Sequence, residues 1–60
     1  MKTERDIQDK INKIDKHINF LIDYIFVKIE TKDWHAVEDA ASDIRDLEAE
    51  KKALTWIQTN

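Results

Sequence analysis

Residues 18–29 read Ile-Asn-Phe-Leu-Ile-Asp-Tyr-Ile-Phe-Val-Lys-Ile, and nine of these twelve are large and apolar. Laid on an α-helix, they cover almost the whole circumference rather than one stripe. A helix that is apolar on every side needs cover on every side. A chain of 60 residues has little other material to supply it. Ile18, Phe20, Leu21, Ile22, Tyr24, Ile25, Phe26, Val27 and Ile29 are therefore the expected oligomer interface, closed by a second copy of the chain or by another protein.

The length points the same way. Sixty residues lie near the lower limit for a self-sufficient core. Chains this small rely on disulfides, a metal, oligomerisation or very regular helix packing. Cysteine is absent, which excludes disulfides and thiolate metal sites. Oligomerisation is the device that remains.

Glycine and proline are absent too. Their loss removes the usual residues for left-handed turns and helix stops. It also excludes Gly-rich phosphate loops, and with them P-loop and dinucleotide fingerprints. With 38% charged residues and no breakers, the expected class is all-α.

Two helices emerge from the pattern. Thr3 can cap the first, with Asp6 placed to favour its positive end. Ile7, Ile11, Ile14, Ile18, Leu21 and Ile25 then recur at alternating spacings of four and three, a heptad seam. The pattern pauses at Glu30-Thr31-Lys32-Asp33, and Asp33 is a good N-cap for a helix opening at Trp34. Trp34, Val37, Ala41, Ile44, Leu47, Leu54 and Ile57 form the apolar face of that second helix, interrupted by Lys51. The expected bounds are a helix over about 4–30, a turn over 31–33 and a helix over about 34–58. The resulting antiparallel hairpin is expected to dimerise into a four-helix bundle. One continuous helix in an extended coiled coil is the alternative. The break at 30–33 favours the hairpin, and the missing glycine speaks against it.

Charge is unevenly placed. Residues 1–16 carry five basic against four acidic side chains, whereas residues 33–50 carry seven acidic against Arg45 alone. An acidic half does not suit nucleic-acid phosphates. Across a turn at 31–32, Lys13 should approach Glu50, and Lys16 or His17 should approach Asp46. Asp39, Asp43, Asp46 and Glu50 share one helix face at spacings of four, three and four. Like charges so spaced destabilise a helix unless something offsets them. The stripe is either paired within the hairpin and solvated, or it is a surface for a basic partner.

Other constellations are weaker. His35 could share a metal with Glu38 or Asp39, but two side chains fall short of the four ligands a structural site needs. No metal or other cofactor is expected. Trp34, His35 and Arg45 could instead form a small-ligand pocket between protomers. Asn19 and Asp23 are either a solvent-facing strip in the apolar run or a buried polar pair that sets oligomer register. Ser42 is the only serine and has no histidine within reach in a hairpin, so no catalytic set is assembled. The apolar run is far short of the roughly 20 residues that span a bilayer, and no apolar leader follows the charged start. The expectation is a cytoplasmic protein without membrane contact.

The stretch Asp33-Trp34-His35-Ala36-Val37-Glu38-Asp39-Ala40-Ala41-Ser42-Asp43-Ile44-Arg45-Asp46-Leu47-Glu48-Ala49 resembles segments of short bacteriophage-encoded helical proteins. It covers under a third of the chain and carries no catalytic motif. The resemblance implies a small accessory protein that inhibits or redirects a host factor. The functional expectation is thus a non-enzymatic homo-oligomer acting through protein–protein contact. The alternatives are sequestration of a small, nucleotide-like ligand or a purely structural role in an assembly.

Overall fold

The computed structural model describes residues 4–59. Thr3, read above as the first cap, lies outside them. Helix α1 spans Glu4–Glu30 and helix α2 spans Trp34–Thr59. They pack against each other as an antiparallel hairpin with dimensions of 45 × 15 × 14 Å. Gln8 meets Gln58, Lys10 meets Glu50 and Asp15 meets Lys51, pairs that straddle the register a turn at 31–32 dictates.

The reversal is made without glycine. Lys32 takes the left-handed conformation, at φ 59°. Its N–H donates to the Ile29 carbonyl at 2.9 Å, and the next N–H, on Asp33, donates to the Lys28 carbonyl at 2.9 Å. This pair of bonds is a Schellman motif, which satisfies carbonyls that the end of a helix leaves open. Glycine normally occupies the Lys32 position because a Cβ is strained there. The Thr31 hydroxyl adds a third bond, donating to the Lys28 carbonyl at 3.0 Å.

Asp33 then starts α2 with no intervening residue. Its Oδ1 accepts the Ala36 N–H at 3.2 Å, and its carbonyl accepts the Val37 N–H at 3.1 Å. That is the N-cap geometry. One residue therefore closes the first helix and opens the second.

The core between the helices is thin. Only Ile11, Ile14 and Ala40 are buried among the described residues. Ile7, Ile18, Leu21 and Ile25 continue the α1 seam half-buried. On α2 the inward positions are Val37, Ala40, Ala41, Ile44, Leu47, Lys51, Leu54 and Gln58. Two residues assigned to this face from the sequence do not belong to it: Trp34 and Ile57 are both more than half exposed. The seam advances by alternating threes and fours, and it reaches Lys51 and Gln58 rather than Ile57. Both polar residues are matched from α1. Lys51 Nζ lies 2.6 Å from Asp15 Oδ1, and Gln58 Nε2 donates to Gln8 Oε1 at 2.8 Å. The hairpin seam is thus apolar toward the turn, while toward the free ends polar links alternate with Ile7, Ile11, Ile14 and Leu54.

Relieving the strain at the turn should be visible directly. Lys32→Gly is expected to raise the unfolding free energy by about 1 kcal/mol, and Asp33→Ala to lower it by about 0.5–2 kcal/mol. Urea titrations followed by circular dichroism, at one fixed protein concentration, measure both. A Lys32→Gly chain less stable than the parent would contradict the assigned backbone geometry.

Candidate interaction surface

The α1 residues expected to form an oligomer interface divide into two sets. Ile18, Leu21 and Ile25 are half-buried in the hairpin seam against α2. Phe20, Ile22, Tyr24, Phe26, Val27 and Ile29 are exposed, with Phe20 at 66% and Phe26 at 63%. The spacing places Phe20, Tyr24 and Val27 on one flank of α1 and Ile22, Phe26 and Ile29 on the other. Asn19, Asp23 and Glu30 form a polar ridge between the two strips, and all three are exposed in the hairpin. Lys28 crowns the turn end, with Nζ 5.3 Å from the centre of the Tyr24 ring. That distance permits a weak cation–π attraction.

The acidic stripe lies beside the Phe20 strip. Asp39, Asp43, Asp46 and Glu50 are all exposed. Asp39 Oδ2 sits 3.5 Å from His35 Nε2, and Glu50 Oε1 sits 3.6 Å from Lys10 Nζ. The pairings expected from the register differ from these. Glu50 is taken by Lys10 and not by Lys13, because Lys10 borders the seam while Lys13 lies about 60° further round the helix. Among the described residues, Asp43, Asp46, Lys13, Lys16 and Arg45 form no ion pair. The stripe is therefore paired only in part inside the hairpin, at Asp39 and Glu50 and not at Asp43 and Asp46.

A groove of about 320 Å³ runs between the helices on this flank. The Phe20 and Tyr24 rings line one wall; His35, Ala36, Asp39 and Asp43 line the other. Alanines at 36 and 40 leave the space that larger side chains would fill. Neither Trp34 nor Arg45 lines this groove, so the pocket imagined from Trp34, His35 and Arg45 is not assembled there. On the opposite flank a shallow groove of about 550 Å³ is bordered by Asp15, Ile18, Lys51, Lys52, Thr55 and Trp56. Three of its polar residues are engaged with the chain itself, whereas Glu48 and Lys52, which also line it, form no ion pair or side-chain hydrogen bond among the described residues. Lys51 holds Asp15, and the Thr55 hydroxyl donates to the Lys51 carbonyl at 2.9 Å.

Sequence reasoning missed the Asp15–Lys51 and Gln8–Gln58 links. A signal for the first was present: Lys51 interrupts an otherwise apolar face, and the expected register places it near Asp15. Among the described residues, no three His, Asp or Glu side chains cluster as a metal site. No helix among them is long and apolar enough to cross a membrane. No protein-family model matches the chain, and no curated protein or solved structure shows significant similarity to it.

Of the three ion pairs that involve α2 among the described residues, His35–Asp39 and Asp15–Lys51 should differ in worth. His35 and Asp39 are 87% and 72% exposed at the side chain, so His35→Ala should change stability by no more than about 0.5 kcal/mol. Lys51 lies at a seam position and its stem packs there, so Lys51→Ala should cost about 1–2 kcal/mol. Paired chemical denaturation of the two variants tests the ranking. A larger loss for His35→Ala would mean that the turn-end pair, and not the seam pair, holds the helices together.

Proposed function

We propose that this protein is a non-enzymatic interaction module that acts by protein–protein contact, and that its first partner is a second copy of itself, giving a four-helix bundle. One observation carries this reading: among its described residues the hairpin leaves nine large apolar side chains exposed, six of them between Phe20 and Ile29. Its accessible surface is 4985 Å². A compact monomer of 7.2 kDa should expose about 4,100 Å². The excess is close to the roughly 800 Å² that one partner contributes to a stable interface. Burying each large apolar side chain favours association by roughly 1.5–3 kcal/mol. Phe20, Ile22, Tyr24, Phe26, Val27 and Ile29 together supply that drive.

A host factor would be a second partner, bound by the assembled bundle. The likeness to short phage-encoded helical proteins motivates that extension, as an accessory protein that inhibits or redirects its target. The small-ligand alternative has less support. Its three residues do not line a common groove, and the carboxylates of Asp39 and Asp43 repel a phosphate-bearing ligand from the groove that His35 does line.

Sedimentation equilibrium at micromolar concentration should give a dimer or a higher even-numbered oligomer. Phe20→Asp combined with Phe26→Asp should weaken association at least tenfold while leaving the chain helical at high concentration. A parent chain that sediments as a folded monomer would remove both the self-association and the bundle.

A further inference from the structure

We propose that this chain has a second folded form, in which the turn straightens and two copies exchange their α2 helices. Each copy is then one unbroken helix, and α1 of each packs on α2 of the other. This goes beyond the bundle proposed above, in which every chain keeps its hairpin.

Spacing carries the proposal. In the hairpin the α1 seam steps from Ile18 to Leu21 and Ile25, and Ile22 and Ile29 stay outside it, 38% and 41% exposed. On one unbroken helix the apolar line takes another course. At about 100° per residue, Ile11, Ile14, Ile18, Ile22, Ile25 and Ile29 fall within about 80° of arc. Asp33, Ala36, Ala40, Ile44 and Leu47 continue the line, which stays within about 120° in all. Steps of three, four and four recur three times from Ile11 to Ile44, an 11-residue repeat that runs through the turn without a break. Asp33 is the one charged residue on that line between Ile11 and Leu47.

The open form keeps the hairpin's contacts and removes its strain. Two long antiparallel helices are related by a two-fold axis at right angles to both, at the level of residues 31–32. Residues equally far from that level face each other, as in the hairpin, but across two chains. The Asp15–Lys51, Lys10–Glu50 and Gln8–Gln58 links are then each made twice, between copies. Lys32 leaves the left-handed conformation, at φ 59°, for the helical one, and neither glycine nor proline stands in the way. A short hinge under strain invites such an exchange. Ile22, Ile25 and Ile29 turn inward, opposite Ala36 and Ala40 of the other copy. Large side chains set against small ones let the helices close. Asp33 opposes the change. In the hairpin its Oδ1 caps α2 by accepting the Ala36 N–H at 3.2 Å. On the open stripe its carboxylate lies among isoleucines and near its own counterpart across the axis, which is costly. Asp33 thus sets the balance between the forms, and higher concentration favours the exchanged pair.

A contact present in both forms tells them apart. Gln8→Cys combined with Gln58→Cys places two thiols at the free-end link of a chain that has no natural cysteine. A short bis-maleimide then bridges them. A hairpin closes on itself and runs as a monomer under denaturing conditions, whereas an exchanged pair becomes a covalent dimer. After refolding at micromolar and at millimolar concentration, the dimer fraction should rise with concentration. Small-angle scattering should give that dimer a length of about 84 Å, against 45 Å for the hairpin. Asp33→Ala should tighten the exchange at least tenfold, since it removes both the cap and the carboxylate. Lys32→Gly should weaken it at least tenfold, because glycine suits the turn and interrupts the helix. Closed monomer alone at every concentration, with Asp33→Ala as well as without, would overturn the proposal. A parent that sediments as a dimer yet closes only on itself keeps the bundle and loses the exchange. A covalent dimer that Lys32→Gly does not reduce would also count against it, since straightening at residue 32 would not be its source.

Discussion

A helix packed against one neighbour hides a stripe only about 100° wide, and every other feature of this hairpin follows from that limit. Between residues 18 and 29, α1 presents apolar side chains on three sides of the polar ridge formed by Asn19, Asp23 and Glu30. α2 covers one of them. Ile18, Leu21 and Ile25 find shelter in the seam, while Phe20, Phe26 and their neighbours do not. Three buried residues are too few to hold two helices of 27 and 26 residues on their own. The polar links at the free end, Asp15–Lys51 and Gln8–Gln58, align the helices but add little apolar burial. The unmet demand for cover is concentrated at the turn end.

Much of this was legible in the residues, and the failures have physical causes. The two-helix division could be read because Asp33 is a capping residue standing at the end of a heptad run, and its Oδ1 does accept the Ala36 N–H. The missing glycine weighed against a hairpin, yet Lys32 takes the left-handed position itself. Propensity describes the cost of such a backbone, while the bonds to Lys28 and Ile29 offset it. Trp34 and Ile57 were placed in the seam because they are apolar. The phase of the helix decided otherwise, bringing Lys51 and Gln58 inward. Of the site residues, the acidic stripe stands on one helix face, while the apolar run divides between the seam and two exposed strips. Trp34 and His35, being adjacent, point about 100° apart, and within one hairpin only His35 of the Trp34, His35 and Arg45 set lines the groove beside Phe20. Proximity in sequence is not proximity in a groove.

The electrostatic pattern has a simple origin. Within one chain, an antiparallel hairpin brings the mildly basic start of α1 beside the end of α2, not beside the acidic start of α2. Lys10 reaches Glu50, but among the described residues Lys13, Lys16, Asp43 and Asp46 form no ion pair. The chain's charges are complementary in sequence and displaced in space.

The shared role of Asp33 has a consequence for the order in which the hairpin forms. Because this residue terminates α1 and initiates α2, neither helix end at the turn can fray without disturbing the other. The contacts nearest the turn also close the shortest loops, and short loops cost the least chain entropy. Folding should therefore start at the turn and zip toward the free ends, with Asp15–Lys51 and Gln8–Gln58 closing late. Apart from Trp56 and Ile57, the exposed aromatic and branched side chains lie between Phe20 and Trp34, in the part that forms first. A nascent hairpin thus displays this apolar surface before its free ends are secured.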